Sequence, residues 1–158
     1  MDWEHRPGDE RLPRFERTHE LTADGKPAIP GSADPAFRSV CERWNPEELL
    51  VAALSQCHML WYLVLCAKER IVVTDYSDHP SGTMVETSNG SGSFKQVVLR
   101  PRVTITAPEL AERARALHEH AHEMCFIANA VNFEVRNEPT ILSAAGQTSA
   151  ESPARPAT

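Results

Sequence analysis

Residues 45–67, NPEELLVAALSQCHMLWYLVLCA, constrain this chain more than any other segment. Asn45 can cap a helix, Pro46 suits the first helical position, and Glu48 stands at capping-box spacing. From Leu49 onward the run is almost wholly apolar, interrupted by Ser55, Gln56 and His58. A surface helix shows only an apolar stripe. This helix is therefore predicted to be buried on most of its circumference, at the centre of a domain or of an oligomer. A membrane span is the other structure for such a run. The three interruptions leave no unbroken stretch of about 18 apolar residues, so a core helix is the expectation.

The length of 158 residues fits one domain, expected over residues 1–142, with a disordered tail over 143–158. The balance of 16 basic against 22 acidic residues, a formal net charge of -6, supplies no basic face. Nucleic acid is excluded as a partner on that ground. The first residues, MDWEHRPGDERLPR, form a charged, polar arm without an apolar signal segment, so a cytoplasmic location is expected. In that compartment Cys41, Cys57, Cys66 and Cys125 are mainly reduced. Their spacing is neither CxxC nor that of a zinc knuckle.

The remaining segments read as short strands and one more helix. A first strand is expected near Phe15 to Leu21, before the turn Ala23-Asp24-Gly25-Lys26, and residues 27–43 read as connection. Ile71–Tyr76, Gly82–Thr87 and Phe94–Thr106 are read as an antiparallel meander turning at Asn89-Gly90-Ser91-Gly92. Pro101 would place the third strand at an edge or a bulge. A second helix is expected from Thr106, with Glu109 completing a capping box, to about Glu123. Leu110, Ala114, Leu117, His118 and Ala121 share its apolar face. Residues 125–129 suggest a further helical turn and Val131–Val135 a last strand. The fold class is α+β, a central hydrophobic helix packed on antiparallel sheet.

Cys57, inside the apolar helix, is either a small core residue or a redox thiol with a cation near it. Cys66, nine residues on, is about half a turn out of phase and cannot bridge Cys57 within one helix. Cys41 reads as an incidental thiol in the connection. His118, His122 and Cys125 share an i, i+4, i+7 face. That pattern fits a zinc or iron site, or a polar helix face near a dimer seam, and no fourth ligand is set by spacing. Glu47 has a sufficient explanation as a first-turn acid facing the helix dipole.

Taken together, NPEELLVAALSQCHMLWYLVLCA, IVVTDYSDHPSGTM, VVLRPRVTI and LHEHAHEMCFIANAV resemble the OsmC/Ohr family of osmotically induced and organic-hydroperoxide-resistance proteins. The resemblance runs from about Phe15 to Val135. It implies an intertwined homodimer, with two central helices between sheets built from both chains. It implies a thiol peroxidase acting on alkyl or fatty-acid hydroperoxides, without metal or organic cofactor, recharged by a dithiol or a lipoylated protein. Cys57 matches the peroxidatic cysteine and Cys125 the resolving one. Glu47, ten residues before Cys57, matches the family glutamate, and Arg17 in ERTHEL the arginine that it holds. Met59, Trp61 and Phe126 would favour an alkyl chain over hydrogen peroxide, or serve as ordinary core. Two other functions fit the residues: a binding protein for a small apolar ligand with idle thiols, and a zinc-dependent hydrolase using His118, His122 and Cys125.

Overall fold

The computed structural model describes residues 17–34 and 41–144. The polar arm, Phe15 and Glu16 of the first expected strand, and residues 145–158 of the expected tail lie outside them. The described residues form two compact units, divided between Ala52 and Ala53.

In the first unit, strand β1 (His19–Leu21) pairs antiparallel with β2 (Ile29–Gly31). The turn between them uses Gly25 at φ +72°, a left-handed conformation that glycine adopts without a Cβ clash. Trp44 and β2 exchange backbone bonds: Ser32 N–H donates to Trp44 O at 2.9 Å, and Trp44 N–H to Pro30 O at 3.1 Å. Arg43 adds a bond from Nη1 to His19 O at 3.1 Å. Helix α1 (Pro46–Lys68) begins here, with the expected reciprocal cap. Glu48 N–H donates to Asn45 Oδ1 at 2.7 Å, and Asn45 N–H to Glu48 Oε2 at 3.1 Å.

The second unit holds the rest of α1, six strands and a second helix. Helix α1 ends in a Schellman motif: Ile71 N–H reaches Cys66 O at 2.9 Å, and Arg70 N–H reaches Ala67 O at 3.1 Å. Arg70 takes the left-handed position, φ 60°, that glycine usually fills. Strands β3 (Val73–Asp78), β4 (Ser81–Glu86), β5 (Gly92–Leu99) and β6 (Pro101–Ile105) follow. After helix α2 (Ala111–Met124) come β7 (Glu134–Asn137) and β8 (Thr140–Ser143).

Of the expected meander only the hairpin of β4 with β5, turning at Asn89-Gly90-Ser91-Gly92, is formed. The strands divide into two sheets, ordered β3-β6-β8 and β4-β5-β7. β3 is antiparallel to β6, and β4 to β5, whereas β7 runs parallel to β5 and β8 parallel to β6. The sheets are therefore mixed. The parallel pairs follow from α2, which lies in the chain between each pair and supplies the long crossover that parallel strands require.

Four further expectations change. The single strand read over Phe94–Thr106 is broken at Arg100, whose N–H donates to Asp78 Oδ1 at 2.6 Å. Pro101 opens the central strand of its sheet instead of lying at an edge, and the first strand position tolerates its missing N–H. The capping box at Thr106 and Glu109 does not form. Ala107 precedes Pro108 and is extended (φ -111°, ψ 97°), so a short 3-10 turn over Pro108–Leu110 intervenes before α2. β8 was unforeseen: Ser143, read as the start of the tail, ends that strand.

The core gathers Tyr62, Leu65 and Cys66 of α1, Val103 and Ile105 of β6, and Ala114, Leu117 and Ala121 of α2. The expected apolar face of α2 is the buried one, except that Leu110 is half-buried. Helix α1 was expected to be buried on most of its circumference, in a domain or in an oligomer. Within one chain it buries a stripe of Leu54, His58, Tyr62, Leu65 and Cys66, and leaves Leu60 54% and Val64 45% exposed. Among the described residues it is the one helix long and apolar enough to cross a membrane. Its stripe is instead committed to protein, including a buried polar contact to α2.

Candidate functional site

Cys57 projects from the middle of α1 and is half-buried. Cys125 is the residue at which α2 stops: its backbone is extended (φ -74°, ψ 106°) and its N–H returns to His122 O. The chain then folds back over the helix end. Asn129 N–H donates to Cys125 O at 3.0 Å, and Asn129 Nδ2 to Glu123 O at 2.9 Å. These bonds satisfy carbonyls that the helix end leaves open. They also fix the Cys125 side chain, which is 1% exposed and accepts a bond from Ala128 N–H at 3.4 Å.

The two thiols lie beside each other, so 68 residues of sequence separation are closed by the packing of α2 on α1. Burial pushes the Cys125 thiol up to about 11, and the Cys57 contact adds to that rise. The Ala128 and Ile127 backbone amides pull the other way. Cys125 is thus a protonated thiol at neutral pH, placed against a more accessible one. All four cysteines are free. Cys66 is buried against the Tyr62 side chain, and burial raises its thiol as well. Cys41 is exposed in the first unit.

An aromatic residue accompanies each thiol of the pair. Trp61, one turn beyond Cys57, meets Phe126, next to Cys125, edge to face with ring centroids 5.9 Å apart. Phe126 is 72% exposed, so this contact forms an apolar rim beside the thiols.

Arg17 and Glu47 belong to the first unit. Arg17 is exposed just before β1, and its carbonyl meets His19 Nδ1 at 3.0 Å. Glu47 is half-buried in the first turn of α1.

The histidine–cysteine face does not assemble as the metal reading requires. His118 turns to His58, with its Nδ1 2.9 Å from His58 Nε2. Among the described residues no group of three His, Cys, Asp or Glu is arranged to hold a metal ion. The buried His58–His118 pair was not foreseen as a unit. Its signals were a lone imidazole inside the apolar run and another on the apolar face of the second helix. Ser55 and Asp78, joined at 2.6 Å, form a second unforeseen polar contact between α1 and β3.

The family model described as "OsmC-like protein" matches residues 39–139. An OsmC-like protein of unknown function from Vibrio cholerae is similar in structure, with TM-score 0.80 and 38% identity, over 87% of this chain and 94% of that one. An OsmC-like protein from Mycoplasma pneumoniae shares the fold at 12% identity and TM-score 0.66, over 79% of this chain and 89% of that one. An organic hydroperoxide resistance protein from Elizabethkingia anophelis shares it at 19% identity and TM-score 0.62, over 80% and 89%. No curated protein matches the sequence. With Cys57 on an apolar helix, Cys125 beside it at the end of a second helix, and these matches, the chain belongs to the OsmC-like family.

Proposed function

We propose that this protein is a thiol peroxidase that reduces organic hydroperoxides, with Cys57 as the attacking thiol and Cys125 as the resolving one. The observation that carries the reading is the proximity of these two thiols. The Cys57 thiolate attacks the distal peroxide oxygen. The O–O bond breaks, the alkoxide takes up a proton and leaves as alcohol, and Cys57 becomes a sulfenic acid. The Cys125 sulfur then attacks the Cys57 sulfur. The S–O bond breaks, and the hydroxide leaves as water with the Cys125 proton. An external dithiol, free or as a lipoyl group on a protein, supplies two electrons that reopen the disulfide.

The division of labour follows from environment. Cys125 is fully buried and protonated at rest, which keeps it from the peroxide; it gives up its proton to the departing hydroxide as it attacks Cys57. Cys57 is the accessible partner. The Trp61–Phe126 rim offers an apolar surface to an alkyl or fatty-acid chain. Arg17 and Glu47 serve the attacking thiol in this reading: the guanidinium faces the thiolate and the peroxide, and the carboxylate holds the guanidinium by a bidentate pair. Their support is the match of ERTHEL and NPEE to the family pattern. A second copy of the chain covers the exposed Leu60 and Val64, giving a homodimer in the cytoplasm.

Peroxide consumption tests the reading, comparing cumene hydroperoxide with hydrogen peroxide, first with dithiothreitol and then with a lipoylated donor. Faster consumption of cumene hydroperoxide is expected, with one equivalent leaving a Cys57–Cys125 disulfide in peptide mass spectra. Free thiols after that equivalent would sink the peroxidase and favour the apolar-ligand binder. In the same assay Arg17→Met is expected to slow the first step by about ten-fold or more. An unchanged rate would remove Arg17 from the site. Sedimentation of the same sample reads the dimer, and a compact monomer at micromolar concentration would refute it.

A further inference from the structure

His58 and His118 are 1% and 0% exposed, yet each is a polar ring in an otherwise apolar layer. Their Nε2 and Nδ1 atoms lie 2.9 Å apart, and the two rings are nearly parallel, 8° between planes. Tyr62 stacks on His118 with centroids 3.9 Å apart. Burial and the neighbouring His122 pull His58 down to about 4, although Asp78 opposes them. Burial, His58 and Arg115 pull His118 down to about 3. Both rings are therefore neutral at pH 7, and one donates to the other.

The position of this bond matters more than its strength. His58 directly follows Cys57, and His118 lies two turns before Cys125 on α2. Apolar side chains tolerate small slides of one helix on another, whereas a buried hydrogen bond fixes both depth and rotation. His58 Nδ1 and His118 Nε2 have no hydrogen-bond partner among the described residues. Losing the shared bond would leave both rings buried and unpaired, so the pair resists slippage. We propose that the His58–His118 hydrogen bond is a positioning element that sets α1 against α2 and thereby keeps Cys57 and Cys125 within bonding reach. The proposal rests on reading the two cysteines as a redox couple.

The test needs no peroxide. The full chain carrying Cys41→Ser is equilibrated with reduced and oxidised glutathione. Cys57 and Cys125 give two protons and two electrons to oxidised glutathione, yielding the protein disulfide and two reduced glutathione. The effective concentration of one thiol toward the other is read from the equilibrium. His58→Leu and His118→Leu keep apolar packing and lose the bond, and an effective concentration about ten-fold lower or less is expected. His58→Gln and His118→Asn keep a polar atom near the original nitrogen, and recovery to within about three-fold of the parent is expected. Leucine variants that close as well as the parent would overturn the proposal. So would glutamine and asparagine variants as weak as leucine, since packing alone would then set the register. Should the leucine variants not fold, nitrogen-15 imidazole spectra of the parent decide. Coupling between the two nitrogens across the bond, with neither ring titrating between about pH 5 and 8, is expected. Independent titration of the rings in that range would overturn it. A protein that closes its disulfide normally but consumes no hydroperoxide would sink the peroxidase and leave the positioning role standing.

Discussion

Cys66 and Cys125 are equally buried thiols, each 1% exposed and each pushed up by burial, yet they sit in different chemistry. Cys66 lies in the core beside Tyr62, Leu65 and Ile71, and its side chain faces the Tyr62 hydroxyl. A phenol carries no sulfur with which the Cys66 thiol could form a disulfide. Cys125 lies at a helix end, and its side chain faces a second thiol. Burial therefore does not mark a redox cysteine in this protein. The identity of the facing group does, and that group comes from another helix.

The contrast is broken most sharply by removing thiols one at a time. Cys57→Ser is expected to lower hydroperoxide turnover by about a thousand-fold or more, as loss of a covalent nucleophile does. Cys66→Ala should leave turnover within about two-fold and cost roughly 1 kcal/mol of stability for the lost core volume. Cumene hydroperoxide assays and urea unfolding of the two variants decide it. Comparable loss of turnover in both would mean that Cys66 shares the chemistry.

A smaller effect sharpens the same contrast through pH. The ordinary histidine value is 6.5, and the folded values of His58 and His118 are about 4 and about 3. As pH falls below 6.5, the unfolded chain binds protons that the folded chain does not. The stability these neutral rings carry is thus full above pH 6.5 and is lost as pH falls toward 4 and then 3. Each ring contributes at most about 1.4 kcal/mol per pH unit in that window. The Cys66–Tyr62 contact adds no such slope, because both groups stay neutral throughout. Urea midpoints measured from pH 7 to 4 should fall in the parent and fall less steeply in His118→Asn. Equal slopes in the two proteins would show that the buried pair does not carry the acid sensitivity.

The first turn of α1 was fully legible because its determinants are local. Asn45, Pro46 and Glu48 act within four residues of one another, and both capping bonds are present. The apolar face of α2 was legible for the same reason, since Ala114, Leu117, His118 and Ala121 follow the helical repeat. The start of α2 departs from its capping-box spacing because Pro108 holds Ala107 in an extended conformation.

What the sequence by itself determined was the apolar helix, its N-terminal cap, the candidate thiols and, through the assembled motifs, the family. What only the tertiary structure decided was how the strands pair and which side chains meet. Alternating apolar residues mark a strand without naming its neighbour, so β3 found β6 and β7 found β5 across long stretches of chain. The same holds for His58 with His118. The contact of Cys57 with Cys125 was implied by resemblance alone until the packing of α2 on α1 brought the two sulfurs together. Helical periodicity fixes the face on which a residue lies, whereas its partner depends on how two separate elements pack, which no local spacing encodes.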